Sequence, residues 1–180
     1  MKSEQELLQA INGGSKVAMR ELYERYSGYA MAVGLRYMAD ADAVKDVLQD
    51  SFVKIFTSIE AFEYRGEGSL KAWVLRIVAN EALTQLRKLH RFSVTQEIPD
   101  MPDEPLPEVE QVPMSVIMQF IERLPVGYRT VFNLFVFEQR SHKEIAFLLG
   151  IKENSSASQY FRAKNMLAKM IDEYKKTAKI

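Results

Sequence analysis

Between Ser93 and Pro113 the chain reads SVTQEIPDMPDEPLPEVEQVP, and this stretch constrains the fold more than any other. It holds five of the six prolines, six acidic residues and no basic one. Each proline removes a backbone donor and disfavours helix in the residue before it. The carboxylates repel one another and resist packing. The segment therefore reads as an acidic, proline-rich linker with an extended bias. It divides the chain into a part spanning 1–92 and a part spanning 114–180. Hydrophobic residues make up 47% of the sequence, enough for each part to bury a core of its own.

Both flanks carry the helical period. Leu22, Tyr23, Tyr26, Ala30, Val33 and Tyr37 recur at spacings of three and four, as do Val44, Val47, Leu48, Phe52, Ile55 and Ile59. Glu60–Ser69 (EAFEYRGEGS) has two glycines and mixed charge, so it predicts a loop. A long helix follows over about 69–89. Beyond the linker, helices are expected near 114–124, ended by Pro125, and near 128–138. Ser141 and Glu144 have capping-box spacing and mark a further helix start, and Gly150 marks its stop. A last helix opens at Asn154 and Ser155 and runs towards Tyr174. No period-two run stands out. The expected class is all-α: two small helical domains, the C-terminal one carrying a helix-turn-helix.

Composition narrows the function. There are no cysteines and only two histidines, His90 and His142, so no metal site is expected. Both histidines read as plain surface residues. The N-terminus has no apolar signal core and no run is long enough to span a bilayer, which points to the cytoplasm. No nucleophile, paired carboxylate set or phosphate-cradling loop is legible, so neither an enzyme, a cofactor nor a small-molecule substrate is expected. The formal net charge is zero, but it is unevenly spread. Residues 114–180 hold 11 bases against 6 acids, and residues 1–92 hold 13 against 12.

Three surfaces stand out. On the last helix, Ser156, Tyr160, Ala163, Leu167, Met170 and Ile171 share one side and are expected to pack on Ile145, Ala146 and Leu149. The opposite side offers Ser155, Ser158, Gln159, Arg162 and Lys169, and no acid occurs from Asn154 to Ile171. Short and amide side chains for base edges, with bases for phosphates, suit a helix entering the major groove. Within 69–91, Arg76, Asn80, Thr84, Arg87 and Arg91 form an acid-free stripe, and Trp73 projects towards it. The loop before it carries Phe62, Tyr64 and Arg65. Rings mixed with bases suit single-stranded nucleic acid. A core role competes for Trp73 on equal terms, and is the preferred reading for Phe62. Finally, Asp42, Lys45, Asp46, Gln49 and Asp50 lie off the apolar stripe of their helix, a pattern that by itself marks only a solvated face.

Taken in order, Glu21–Tyr29 (ELYERYSGY), Asp42–Phe52 (DAVKDVLQDSF), Gly68–Arg87 (GSLKAWVLRIVANEALTQLR) and Leu124–Leu167 resemble the sigma factors of the extracytoplasmic-function group over nearly the whole chain. The resemblance implies that residues 1–92 bind core RNA polymerase, with Asp46, Gln49 and Asp50 as the contact. It further implies that they read the −10 promoter element, with Tyr64, Arg65, Trp73, Arg76, Asn80 and Arg87 facing DNA. Residues 114–180 would read the −35 element through the helix at 154–164, with Ser155, Ser158, Gln159, Arg162 and Lys169. It also implies promoter DNA and an anti-sigma factor as partners. Two positions depart from the family pattern: Val44 stands where an acid is usual and Ala157 where a base is common. The rival reading is a helix-turn-helix regulator that binds DNA without joining polymerase. Such activators usually carry an upstream sensor domain with strands, and residues 1–92 show none. A helical adaptor would leave the acid-free last helix unexplained.

Overall fold

The computed structural model describes residues 2–89 and 112–178. Every regular element among them is helical. The chain forms two compact units that meet in sequence at Leu86–Arg87. The expected linker from Ser93 to Gln111, with His90 and Arg91 before it, lies outside the described residues.

The first unit holds α1 (Glu4–Asn12), α2 (Lys16–Tyr37), α3 (Ala41–Ser58) and α4 (Ser69–Leu89), with a 3-10 turn at Ile59–Ala61 closing α3. Local chemistry sets the boundaries. Ser3 and Glu6 form a capping box on α1, the Ser15 hydroxyl accepts from the Ala18 amide, and the Asp40 carboxylate accepts from the Asp42 amide. The periodic apolar residues turn inward: Leu22, Tyr26 and Ala30 of α2, Val44, Val47 and Ile55 of α3, and Leu70, Val74 and Val78 of α4 are buried. Gly34 lets α2 and α3 approach closely. A Cβ there would stand 2.4 Å from Cγ1 of Val44. Val44 itself is fully buried. An acid at this position would be a buried charge without an observed partner, so the departure from the family pattern has a packing reason.

The second unit holds α5 (Met114–Glu122), α6 (Val126–Phe132), a π-helical turn at Asn133–Phe137, α7 (His142–Leu149) and α8 (Glu153–Ala178). The helix expected over 128–138 thus changes its winding at Asn133. Pro113 and Pro125 sit at the N-caps of α5 and α6, where a missing N–H costs nothing. Val112, the last residue but one of the expected linker, is buried in the core with Phe120, Ile121, Leu124, Leu167 and Ile171. The capping box of α7 forms between Ser141 and Glu144, and Gly150 ends the helix at φ 66°, in the left-handed region that glycine tolerates. α6 and α7 both pack on α8. The result is the helix-turn-helix arrangement.

Candidate nucleic-acid and polymerase interfaces

On α3 the apolar stripe fixes which residues face out. With Val44, Val47, Leu48 and Ser51 buried, Asp46, Gln49 and Asp50 are all exposed on one side of the helix. The nearby bases of the helix are paired elsewhere, Lys45 with Asp42 and Lys54 with Glu81, so these three residues make an acidic and amide patch suited to a positively charged partner surface.

A cleft of about 370 Å³ opens between the loop that follows the 3-10 turn and the first turns of α4. Phe62, Arg65, Ser69, Trp73 and Arg76 line it. The Phe62 and Trp73 rings lie 4.9 Å apart at an interplanar angle of 39°. Both are only half-buried. Phe62 is therefore not a core residue: chain direction changes after the 3-10 turn and leaves its ring on the cleft wall. Trp73 adjoins it, with exposed Arg65 and Arg76 beside the pair. Offset rings flanked by guanidinium groups can stack an unpaired base and meet its phosphate.

Other residues of the predicted stripe separate. Tyr64 is half-buried, and its hydroxyl donates to Glu67 at 3.4 Å rather than lining the cleft. Asn80 is exposed but borders a second cleft of about 380 Å³ with Lys54, Thr57 and Thr84. Inside it Lys54 pairs with the buried Glu81 carboxylate. Arg76 and Asn80, one turn apart on α4, thus border different hollows. Arg87 is exposed at the helix end.

The conformation of the loop is held from elsewhere. Glu4 of α1 is only 2% exposed. Its carboxylate accepts from the Tyr26 hydroxyl at 2.7 Å and from the amides of Gly68, Leu70 and Lys71 at 2.9, 3.0 and 3.1 Å. Burial alone would raise its pKa, but these hydrogen bonds outweigh burial and hold it below the ordinary value. No sequence pattern singled out Glu4. Its amide partners lie more than sixty positions away and Tyr26 lies 22 away.

In the second unit α8 carries the predicted core side: Ser156, Ala163, Leu167 and Ile171 are buried. The predicted reading side is less open than expected. Lys169 is exposed and Arg162 half-exposed, its guanidinium donating to the Tyr128 hydroxyl at 3.1 Å. Ser155, Ser158 and Gln159 are buried, at 4%, 1% and 3% exposure. Gln159 packs against the start of α6, where its Oε1 would lie 2.7 Å from a Cβ on Gly127. Short side chains such as serine project little beyond the helix and lose their exposure easily, which polarity alone does not reveal. His142 is likewise no plain surface residue. It stacks on Phe135 with centroids 4.5 Å apart, and its Nδ1 lies 3.0 Å from the Ser156 hydroxyl. Burial holds its pKa below the ordinary value.

Residues 22–92 match the Sigma-70 region 2 family, and residues 115–167 match Sigma-70, region 4. The chain is 28% identical over 183 residues to the ECF RNA polymerase sigma-E factor of Haemophilus influenzae, covering 94% of this chain and 95% of that one. The chain belongs to the extracytoplasmic-function group of sigma factors. It is likewise 26% identical to the RNA polymerase sigma-H factor of Pseudomonas aeruginosa, with 94% of both chains covered. Among solved structures it is similar to CnrH, determined in complex with the cytosolic domain of CnrY, at 24% identity and a TM-score of 0.49, covering 96% of this chain and 99% of that one. As a sigma factor it binds RNA polymerase and recognises promoters. Sigma factors in general are initiation factors rather than enzymes. Among the described residues, no helix is long and apolar enough to cross a membrane. The region 2 match contains the acidic face of α3 and both clefts of the first unit; the region 4 match contains α6, α7 and most of α8. Helix α1 precedes both matches.

Proposed function

We propose that this sigma factor divides promoter recognition between its two units, with a domain at 1–92, a linker at 93–113 and a domain at 114–180. The first binds the polymerase largest subunit through Asp46, Gln49 and Asp50, and captures an unpaired base of the −10 element in the Phe62–Trp73 cleft. The second reads the −35 element with α8. Its partners are core polymerase, promoter DNA and an anti-sigma factor, its place of action is the cytoplasm, and no residue is assigned a catalytic step.

The observation that carries the reading is the cleft itself: two half-buried rings at stacking distance, flanked by Arg65 and Arg76. Unstacking a base costs a few kcal/mol. Stacking on a ring returns about 1–3 kcal/mol per base. A protein that opens DNA without ATP needs such a return. Asn80, though it borders the second cleft, remains close enough along α4 to meet the neighbouring nucleotide. Arg87 and Tyr64 take flanking roles, the first towards phosphate.

The test is promoter melting by holoenzyme, followed with 2-aminopurine placed across the −10 element. Trp73→Ala and exchange of the Glu63–Ser69 loop for that of another sigma factor should slow melting or alter the preferred −10 bases, with −35 binding intact. Unchanged rates and preferences in both would remove the cleft from the mechanism.

A further inference from the structure

We propose that Glu4, on the helix preceding the matched regions, is a positioning residue that sets the shape of the base-capturing loop and thereby the base preference at the −10 element. The proposal rests on the reading of the Phe62–Trp73 cleft as the site of base capture.

The loop has little conformational preference of its own. Gly66 and Gly68 adopt φ of 111° and 90°, which only glycine takes up without strain, and glycine is equally free to leave it. Local bonds fix only part of the loop: the Ser69 hydroxyl donates to the Gly66 carbonyl at 2.6 Å, and the Arg65 amide donates to that hydroxyl at 3.2 Å. The remaining anchor is Glu4. One oxygen accepts from the amides of Gly68 and Leu70, and the other from Lys71 and Tyr26. One buried carboxylate therefore ties the second glycine of the loop to the first turn of α4 and to α2. An outer layer repeats the link. Glu67 lies 3.7 Å from Arg25 of α2, and the Lys71 ammonium stands 3.6 Å from the centre of the Tyr29 ring. Arg65 and Ser69, on the cleft wall, are thus positioned through Glu4 without touching it.

Charge adds a second consequence. Free amides at a helix N-terminus attract anions. Glu4 occupies those of Leu70 and Lys71, so a DNA phosphate has no place there. A strand approaching the loop must engage it through its base and through Arg65 and Arg76. This favours discrimination between bases over indiscriminate backbone binding.

The experiment uses the full chain assembled with core polymerase. The probe is a set of short single-stranded oligonucleotides in which each −10 position carries each base in turn. The variants are Glu4→Gln, Glu4→Asp, the loop exchange, and Val47→Ala as a control that lowers the stability of the same unit by removing buried side-chain atoms outside the Glu4 network. All are measured well below their unfolding temperatures. Glutamine presents one acceptor oxygen and an NH2 that cannot accept an amide hydrogen, so some loop amides lose their partner. Glu4→Gln should reduce the preference for the captured base about tenfold, within the range for one lost base contact. Glu4→Asp should retain part of it, and duplex −35 binding should be unchanged. If the loop exchange alters preference but Glu4→Gln does not, the positioning role is refuted while the cleft keeps its function. If neither alters preference, the cleft reading fails and takes this proposal with it. An equal loss in Val47→Ala would show a general stability effect and would also overturn the role.

Discussion

Replacing Gly34 by alanine should destabilise the first unit, although alanine is the better helix former. Two effects oppose each other. Gly→Ala within a helix gains up to about 1 kcal/mol from propensity. Against this, the new Cβ would lie 2.4 Å from Cγ1 of Val44, whereas carbon atoms in favourable contact are about 3.5–4.0 Å apart. Val44 is fully buried and β-branched, so it has no free rotamer into which to withdraw. The helices must separate, and overpacking of this kind costs about 1–3 kcal/mol. The net loss should be up to about 2 kcal/mol, lowering the melting temperature of a unit this size by up to about 15 °C. Trp73 is the only tryptophan and lies in the first unit, so its fluorescence follows that unit alone during urea unfolding. Val44→Ala alone should cost on the order of 2 kcal/mol through lost burial and a cavity. In the double variant the alanine methyl at 34 enters the space the valine vacates. The two losses should then fall short of additivity by about 1 kcal/mol or more. Additive losses would refute the claim that Gly34 is glycine because of Val44.

Asp46→Arg together with Asp50→Arg should abolish co-purification with core polymerase and leave the helical circular dichroism signal unchanged, since both side chains are exposed. Arg162→Ala should shift −35 base preference by about 1–3 kcal/mol if Arg162 leaves Tyr128 to meet a base edge, whereas Lys169→Ala should weaken all sequences alike and lower the salt slope of binding by about one; parallel loss in both, read by anisotropy over a salt series, would make Arg162 a phosphate contact. Acid should act on the two units in separate windows. His142 has a depressed folded pKa, so the second unit loses stability as pH falls below about 6.5 and through the folded value, and His142→Asn should remove that step. Glu4 is depressed below 4.5, so its contribution is present above 4.5 and disappears only as pH falls through its lower folded value, a step that Glu4→Gln should erase from the Trp73 signal.

The fold was legible where one rule governs one element. The three-four spacing of apolar residues located α2, α3 and α4, and the Ser141–Glu144 pair and Gly150 bracketed α7 because caps are local chemistry. The exposed acidic face of α3 followed once its apolar stripe was identified. Other features depend on distant partners. Glu4 meets amides more than sixty residues away, and nothing in SEQEL distinguishes it from an ordinary first-turn acid. Phe62 looked like core because a large ring usually is, yet the 3-10 turn leaves it on a cleft wall. Ser155, Ser158 and Gln159 looked exposed because polarity was taken for exposure, although a serine needs little neighbouring surface to be covered. His142 acquired its environment from Phe135 and Ser156, which the linear pattern does not bring together.

Helix N-termini bear on how this sigma factor balances base recognition against phosphate attraction. An uncapped N-terminus on a DNA-facing helix offers phosphates a sequence-independent hold. In this chain acids stand at the N-termini of the helices in question. Glu4 fills that of α4, the Glu144 carboxylate accepts from the Ser141 amide at the start of α7, and Glu153 stands in the first turn of α8. Each carboxylate repels phosphate from the place where backbone amides would attract it. On the proposed reading, affinity for the DNA backbone then comes from side chains such as Arg65, Arg76, Arg87 and Lys169. These are point contacts, strongly screened by salt, and they hold the protein only where the duplex runs past them. On the proposed reading, with the sequence-independent term limited, a larger share of the binding free energy falls to base capture in the cleft and base reading along α8. On that reading, a sigma factor whose formal net charge is zero tells promoters from bulk DNA more by base contacts than by backbone attraction.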